Sequence, residues 1–147
     1  MLFTRDIVVP ANTLESAPCE ELIKIAHGII TWVSVLFPPG CHGMVNCVLL
    51  HHEHQIAPST EKMVMLGDGV PIQWDEYYES YQPPYELKVK LWSAGTTYAH
   101  KVTVRVAILP RKAIIALAIV DAIKGLFGAL SPKRIFTMKE EEVEYGR

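Results

Sequence analysis

Cysteine is scarce in this chain, and so is net charge. Three cysteines in 147 residues (Cys19, Cys41, Cys47) are too few, and odd in number, for a disulfide framework to carry the fold. Reduced thiols in an intracellular product are the expectation, with a Cys41–Cys47 bridge left open. A formal net charge of −2 argues against a general nucleic-acid binder, which needs a basic excess, so no direct nucleic-acid contact is expected. The opening Met-Leu-Phe-Thr-Arg-Asp has no apolar run of the signal-peptide kind. Export by that route is therefore not expected, and a virion or cytoplasmic assembly is. Ser34, Ser59, Ser80 and Ser93 lack a nucleophile-elbow context. Gly67-Asp68-Gly69 reads as a turn, because it lacks the length and following helix of a phosphate loop. No repeat or low-complexity segment is visible.

What is present is ordinary folded-protein chemistry. Half the residues are apolar and a fifth are charged. A chain of this length buries a core without metal or disulfides. The strongest pattern runs from Pro84 to Pro110. Tyr85, Leu87, Val89 and Leu91 alternate with Glu86, Lys88 and Lys90; Val102, Val104, Val106 and Ile108 alternate with Lys101, Thr103 and Arg105. Period-two patterning predicts strands with one buried and one wet face, here a closing hairpin across a polar turn.

Turn signals divide the earlier residues in the same way. Strands are expected at about Phe3–Val9, Glu21–His27, Ile29–Phe37, Met44–His52 and Val70–Tyr78, with a short one at Lys62–Leu66 in a looser region from Glu53 to Gly69. Ile29–Phe37 is apolar on both faces, which calls for a central or covered strand. The expected fold is all-β, a jelly-roll or Greek-key antiparallel β-sandwich over residues 1–110.

At Ala113 the pattern changes to AIIALAIVDAIKGLFGAL, rich in alanine, leucine and isoleucine and bounded by Pro110 and Pro132. A C-terminal apolar α-helix is expected within a 111–136 segment with basic flanks, followed by an acidic tail at 137–147. Ile114, Ile115, Leu117, Ile119, Ile123, Leu126, Phe127 and Leu130 are the contact candidates, since a helix apolar nearly all round must be buried in something. Docking on its own sandwich, contact with copies of itself or a partner, and membrane contact are the three readings. Asp121 and Lys124 count against hydrocarbon.

Two other groups are candidate sites. His51, His52 and His54 cluster at a strand end, and His52 and His54 share a face; with His100 from elsewhere they are weak metal candidates. Their spacing matches no zinc pattern, strand-end histidines are the plainer account, and no cofactor is expected. Trp74, Tyr77, Tyr78, Tyr81 and Trp92 form a candidate edge for carbohydrate or protein.

The runs Phe37-Pro38-Pro39-Gly40-Cys41-His42-Gly43, Gly67-Asp68-Gly69-Val70-Pro71-Ile72 and Leu109-Pro110-Arg111 resemble a group of small uncharacterised β-sandwich proteins of phage and prophage-like contexts. The resemblance covers most of residues 3–111 and implies a virion or particle component; it transfers no functional residue. The expectation is thus a non-enzymatic structural subunit of a homo-oligomeric particle or shell, with copies of itself and then other virion proteins as the candidate partners. A carbohydrate- or protein-binding module is the first alternative. A cupin-like metal enzyme is the second, and the usual closely spaced His-x-His with its glutamate is absent.

Overall fold

The computed structural model describes residues 1–129. The strands are β1 (Leu2–Val9), β2 (Cys19–Lys24), β3 (Gly28–Leu36), β4 (Asn46–His51), β5 (His54–Ala57), β6 (Met65–Leu66), β7 (Pro71–Ser80), β8 (Glu86–Trp92) and β9 (His100–Pro110). A helix, α1 (Arg111–Ala129), follows directly. The chain divides into two compact units, one of residues 1–111 and one beginning at Lys112.

The first unit is mostly β, in two antiparallel sheets. One has the order β1-β9-β3-β7; the other has the order β2-β8-β4-β5, with β6 also pairing β4. Pairing is concentric along the chain: β1 meets β9, β2 meets β8, β3 meets β7 and β4 meets β5. One core joins the inner faces. Val9, Val33, Val35, Val102, Val104 and Val106 come from the first sheet; Cys47, Leu49, Leu87, Val89 and Leu91 come from the second. The alternation in β8 and β9 points every second residue into this core.

β3 lies between β9 and β7, which explains its apolar run. β4 is likewise buried on both faces. Leu50 and Val48 pair with Lys88 and Lys90, whose aliphatic stems lie beside them while Glu20 and Glu53 take their ammonium groups.

The expected β8–β9 hairpin does not form, because the two strands belong to different sheets. Residues 93–99 instead cross the sandwich, next to the β1–β2 connection, and buried polar groups tie the two crossings together. Ser93 Oγ donates to Pro10 O at 2.7 Å and accepts from Thr13 N at 3.2 Å. Asn12 N donates to Thr96 Oγ1 at 3.0 Å, and Gly95 N donates to Asn12 Oδ1 at 2.9 Å. Hydrogen bonding to partners so far away in sequence leaves no local pattern to read.

Other boundaries shift for local reasons. β2 begins at Cys19, where Leu91 pairs with it, and ends at Lys24; Ile25 N then bonds Tyr85 O. The strand expected over Lys62–Leu66 is confined to Met65–Leu66. Lys62 has positive φ, and Gln55 Nε2 holds the carbonyls of Pro58, Thr60 and Met63. β5 falls in the stretch expected to be irregular.

The two glycine-containing runs quoted above, thirty residues apart, meet in one clasp. Gly40 N donates to Asp68 Oδ1 at 2.6 Å, the Cys41 thiol donates to Gly67 O at 2.9 Å, and Gly69 N donates to Phe37 O at 3.2 Å. All three cysteines are free, with Cys41 and Cys47 buried.

Candidate functional site

The histidine cluster and part of the tyrosine-rich strand, separate signals in the sequence, meet in one open cleft of about 470 Å³. Its walls are His51, His52 and His54 from the β4–β5 hairpin, and Tyr78, Glu79, Tyr81 and Gln82 from the end of β7 and the residues after it. The hairpin turn is only two residues, His52-Glu53, between the paired His51 and His54. Both turn residues have positive φ (50° and 63°), as in a type I′ turn, where non-glycine residues are strained. Glu53 is held by an ion pair with Lys88 on β8, which depresses its carboxyl pKa through that hydrogen bond and anchors the turn.

His51 is the centre of the site. It is 6% exposed, and its Nδ1 lies 2.9 Å from the Tyr78 hydroxyl, so one hydrogen bond links β4 of one sheet to β7 of the other. The His52 ring packs edge-on against it at a centroid separation of 4.0 Å, and Tyr78 does so at 5.4 Å. Burial lowers the His51 pKa, and the neighbouring His52 lowers it further, so the neutral ring is favoured. Burial likewise raises the Tyr78 pKa. Two buried side-chain atoms have no hydrogen-bond partner among the described residues: His51 Nε2 and Ser80 Oγ. Tyr81 is braced by stacking on His27 at 5.1 Å.

The other members of the aromatic set do not join this cleft: strand alternation turns Tyr77 and Trp92 outward, and Trp74 shares the inward side of β7 with Tyr78 but lies four residues before it. Trp74 faces inward beside the core and donates from Nε1 to Glu76 Oε2 at 2.9 Å. Tyr77 points away from the core and is 70% exposed. Trp92 shares the outer side of β8 with Lys88 and Lys90. Of the three histidines considered as metal candidates, His52 and His54 reach the cleft. His100 starts β9 opposite Val9, whereas the β9 terminus at Pro110 pairs with Gly28, which in turn pairs with Ser80 at the cleft end of β7. The length of β9 thus separates His100 from the other two. Among the described residues, no group of three or more His, Cys, Asp and Glu is placed to hold a metal ion.

Sequence reasoning missed His51 as the pivotal residue, along with Glu79 and Gln82. The one available signal was the strand-end position of His51 within a buried run.

The second unit places the remaining candidates on α1. Ile115, Leu117, Ile119, Ile123, Leu126 and Phe127 are exposed, as is Val120, at 45% to 71%. Ile114 lies in the same helix, and Leu130 and the acidic tail lie outside the described residues. At 100° per residue the seven exposed side chains span about 200° of the helix circumference. Space is open at Gly125 and Gly128. Among the described residues, no helix is long and apolar enough to cross a membrane.

No family model, no curated protein and no solved structure matches this chain.

Proposed function

We propose that this protein is a non-enzymatic structural subunit that assembles with copies of itself into a particle or shell of the virion type, with α1 supplying the contact between subunits. The observation that carries the reading is the set of seven large apolar side chains exposed on α1. Burying each is worth roughly 1.5–3 kcal/mol, so water is a poor environment for the set. Their arc is too wide for one shallow face and suits a helix enclosed by others. Open space at Gly125 and Gly128 lets a second backbone approach closely.

The strand order supports a jelly-roll topology for the first unit. The concentric pairing of β1 with β9, β2 with β8, β3 with β7 and β4 with β5 is what a long antiparallel ribbon gives when it rolls into two sheets. Jelly rolls recur in viral capsid subunits, lectin domains and cupins, so the topology is compatible with the particle reading and the α1 surface selects it. The resemblance of the glycine-containing runs to phage-type sandwiches points the same way.

The test is light scattering and sedimentation of the full chain in detergent-free buffer, with negative-stain microscopy of the product. Discrete assemblies are expected, and the double substitution Ile119→Glu/Ile123→Glu should reduce them to monomers without changing the β-sheet circular dichroism. A strictly monomeric wild-type chain across the accessible concentration range would overturn the reading.

A further inference from the structure

The histidine–tyrosine cleft contains a polar atom that the protein leaves unsatisfied. His51 forms part of its wall and uses Nδ1 on Tyr78, while its buried Nε2 has no partner among the described residues. The chemistry of the missing partner follows from the tautomer. If Tyr78 donates to Nδ1, then Nε2 carries the proton and needs an acceptor. If Nδ1 donates to Tyr78, then Nε2 needs a donor. A hydroxyl group meets either requirement, since it both donates and accepts.

The rest of the lining selects in the same direction. Glu79 is its one carboxylate, and it opposes phosphate or carboxylate ligands. The planar side chains of Glu79 and Gln82 suit adjacent hydroxyls, one accepting and the other doing both. Tyr81, fixed by His27, offers an aromatic ring for an apolar C–H surface. The volume of about 470 Å³ falls within the small-ligand range of roughly 300–1,000 Å³.

We propose that this cleft binds a neutral, hydroxyl-rich ligand, a sugar unit of a glycan, with Tyr81 beneath the ring, Glu79 and Gln82 on its hydroxyls, and one hydroxyl reaching His51 Nε2. The ring of His52, carried on the strained two-residue turn, packs edge-on against His51 and is the group the ligand displaces. A divalent cation does not account for the cleft, since no three of its ligating side chains converge.

The experiment uses the full-length protein, first titrated with D-glucose, D-galactose, D-mannose and N-acetylglucosamine and followed by NMR, and then applied to a glycan array. Long-range ¹H–¹⁵N spectra of the imidazoles report His51 directly. The expected result is saturable binding of at least one neutral sugar that shifts the His51 Nε2 resonance, is unchanged by EDTA and is not displaced by inorganic phosphate. Tyr81→Ala and Gln82→Ala, both at the cleft rim, should each weaken it about tenfold while leaving thermal unfolding near wild type. No saturable sugar binding, binding indifferent to both substitutions, loss of binding with EDTA, displacement by phosphate, or a peptide ligand in place of a sugar would each overturn the proposal.

Discussion

The hydroxyl of Tyr78 on β7 meets Nδ1 of His51 on β4 at 2.9 Å, a side-chain bond joining the two sheets where the β4–β5 hairpin turns. Tyr78→Phe keeps the ring and removes this bond, leaving both imidazole nitrogens of a buried residue unpaired. The expected loss is about 1–3 kcal/mol, the usual penalty for an orphaned buried group. Urea unfolding of wild type and variant measures it, and equal midpoints would show that the bond contributes nothing.

The same imidazole makes stability depend on pH. Burial and His52 lower the native His51 pKa, so the unfolded chain binds this proton more readily than the folded one. The contribution of His51 is therefore fully present above the unfolded value of about 6.5 and is lost as pH falls through that value toward the native one. Protonation also sets a charge beside His52, with Tyr78, His54 and Glu79 around the same cleft. Urea midpoints should fall between about pH 7 and pH 5. An NMR titration should place the His51 pKa below its unfolded value, and a His51 pKa at or above about 6.5 would refute this account.

Much of the sandwich is legible in the residues, and the reasons differ by element. β8 and β9 announce themselves because each has a wet side, so Lys88, Lys90, Lys101 and Arg105 punctuate the buried valines and leucines. Their partnership is not legible. A polar stretch of hairpin length crosses between sheets because Ser93 and Thr96 bond the distant Pro10 and Asn12 backbone. β5 is four residues long and gains its identity from pairing with β4. The cleft was visible as two lists of residues, and only the packing of the two sheets brings the end of β4 against the end of β7. Trp74, Tyr77 and Trp92 looked equivalent to Tyr78 by composition, yet a period of two turns Tyr77 and Trp92 outward, and Trp74, inward like Tyr78, lies four residues away along β7.

Ser93 tests the crossing directly. Its hydroxyl serves the carbonyl of Pro10 and the amide of Thr13 at once, in a side chain with no exposed surface. Ser93→Ala should destabilise by about 1–3 kcal/mol, because two backbone groups lose their partner in a site with limited water access. Amide hydrogen exchange should accelerate at Thr13 and Gly95 before the β-sheet core is affected. Unchanged exchange at Thr13 would mean that the two crossings are held by something other than this hydroxyl.

Gly67 tests the clasp between the two glycine-containing runs. A Cβ added there would lie 2.9 Å from Cδ2 of Phe37, a fully buried ring. The obstacle is packing, because Gly67 does not have a left-handed φ, whereas Gly95 at +84° has open space and only backbone strain. Gly67→Ala should therefore destabilise by about 1–3 kcal/mol through overpacking. Phe37→Leu alone should also destabilise, through lost volume in the core. Combined, the two should be less harmful than their separate effects suggest, since the smaller side chain admits the methyl group; contacting residues couple by about 0.5–3 kcal/mol. Gly95→Ala should gain no such relief from Phe37→Leu. Strict additivity of the Gly67 and Phe37 substitutions would rule out the ring as the reason glycine is needed at position 67.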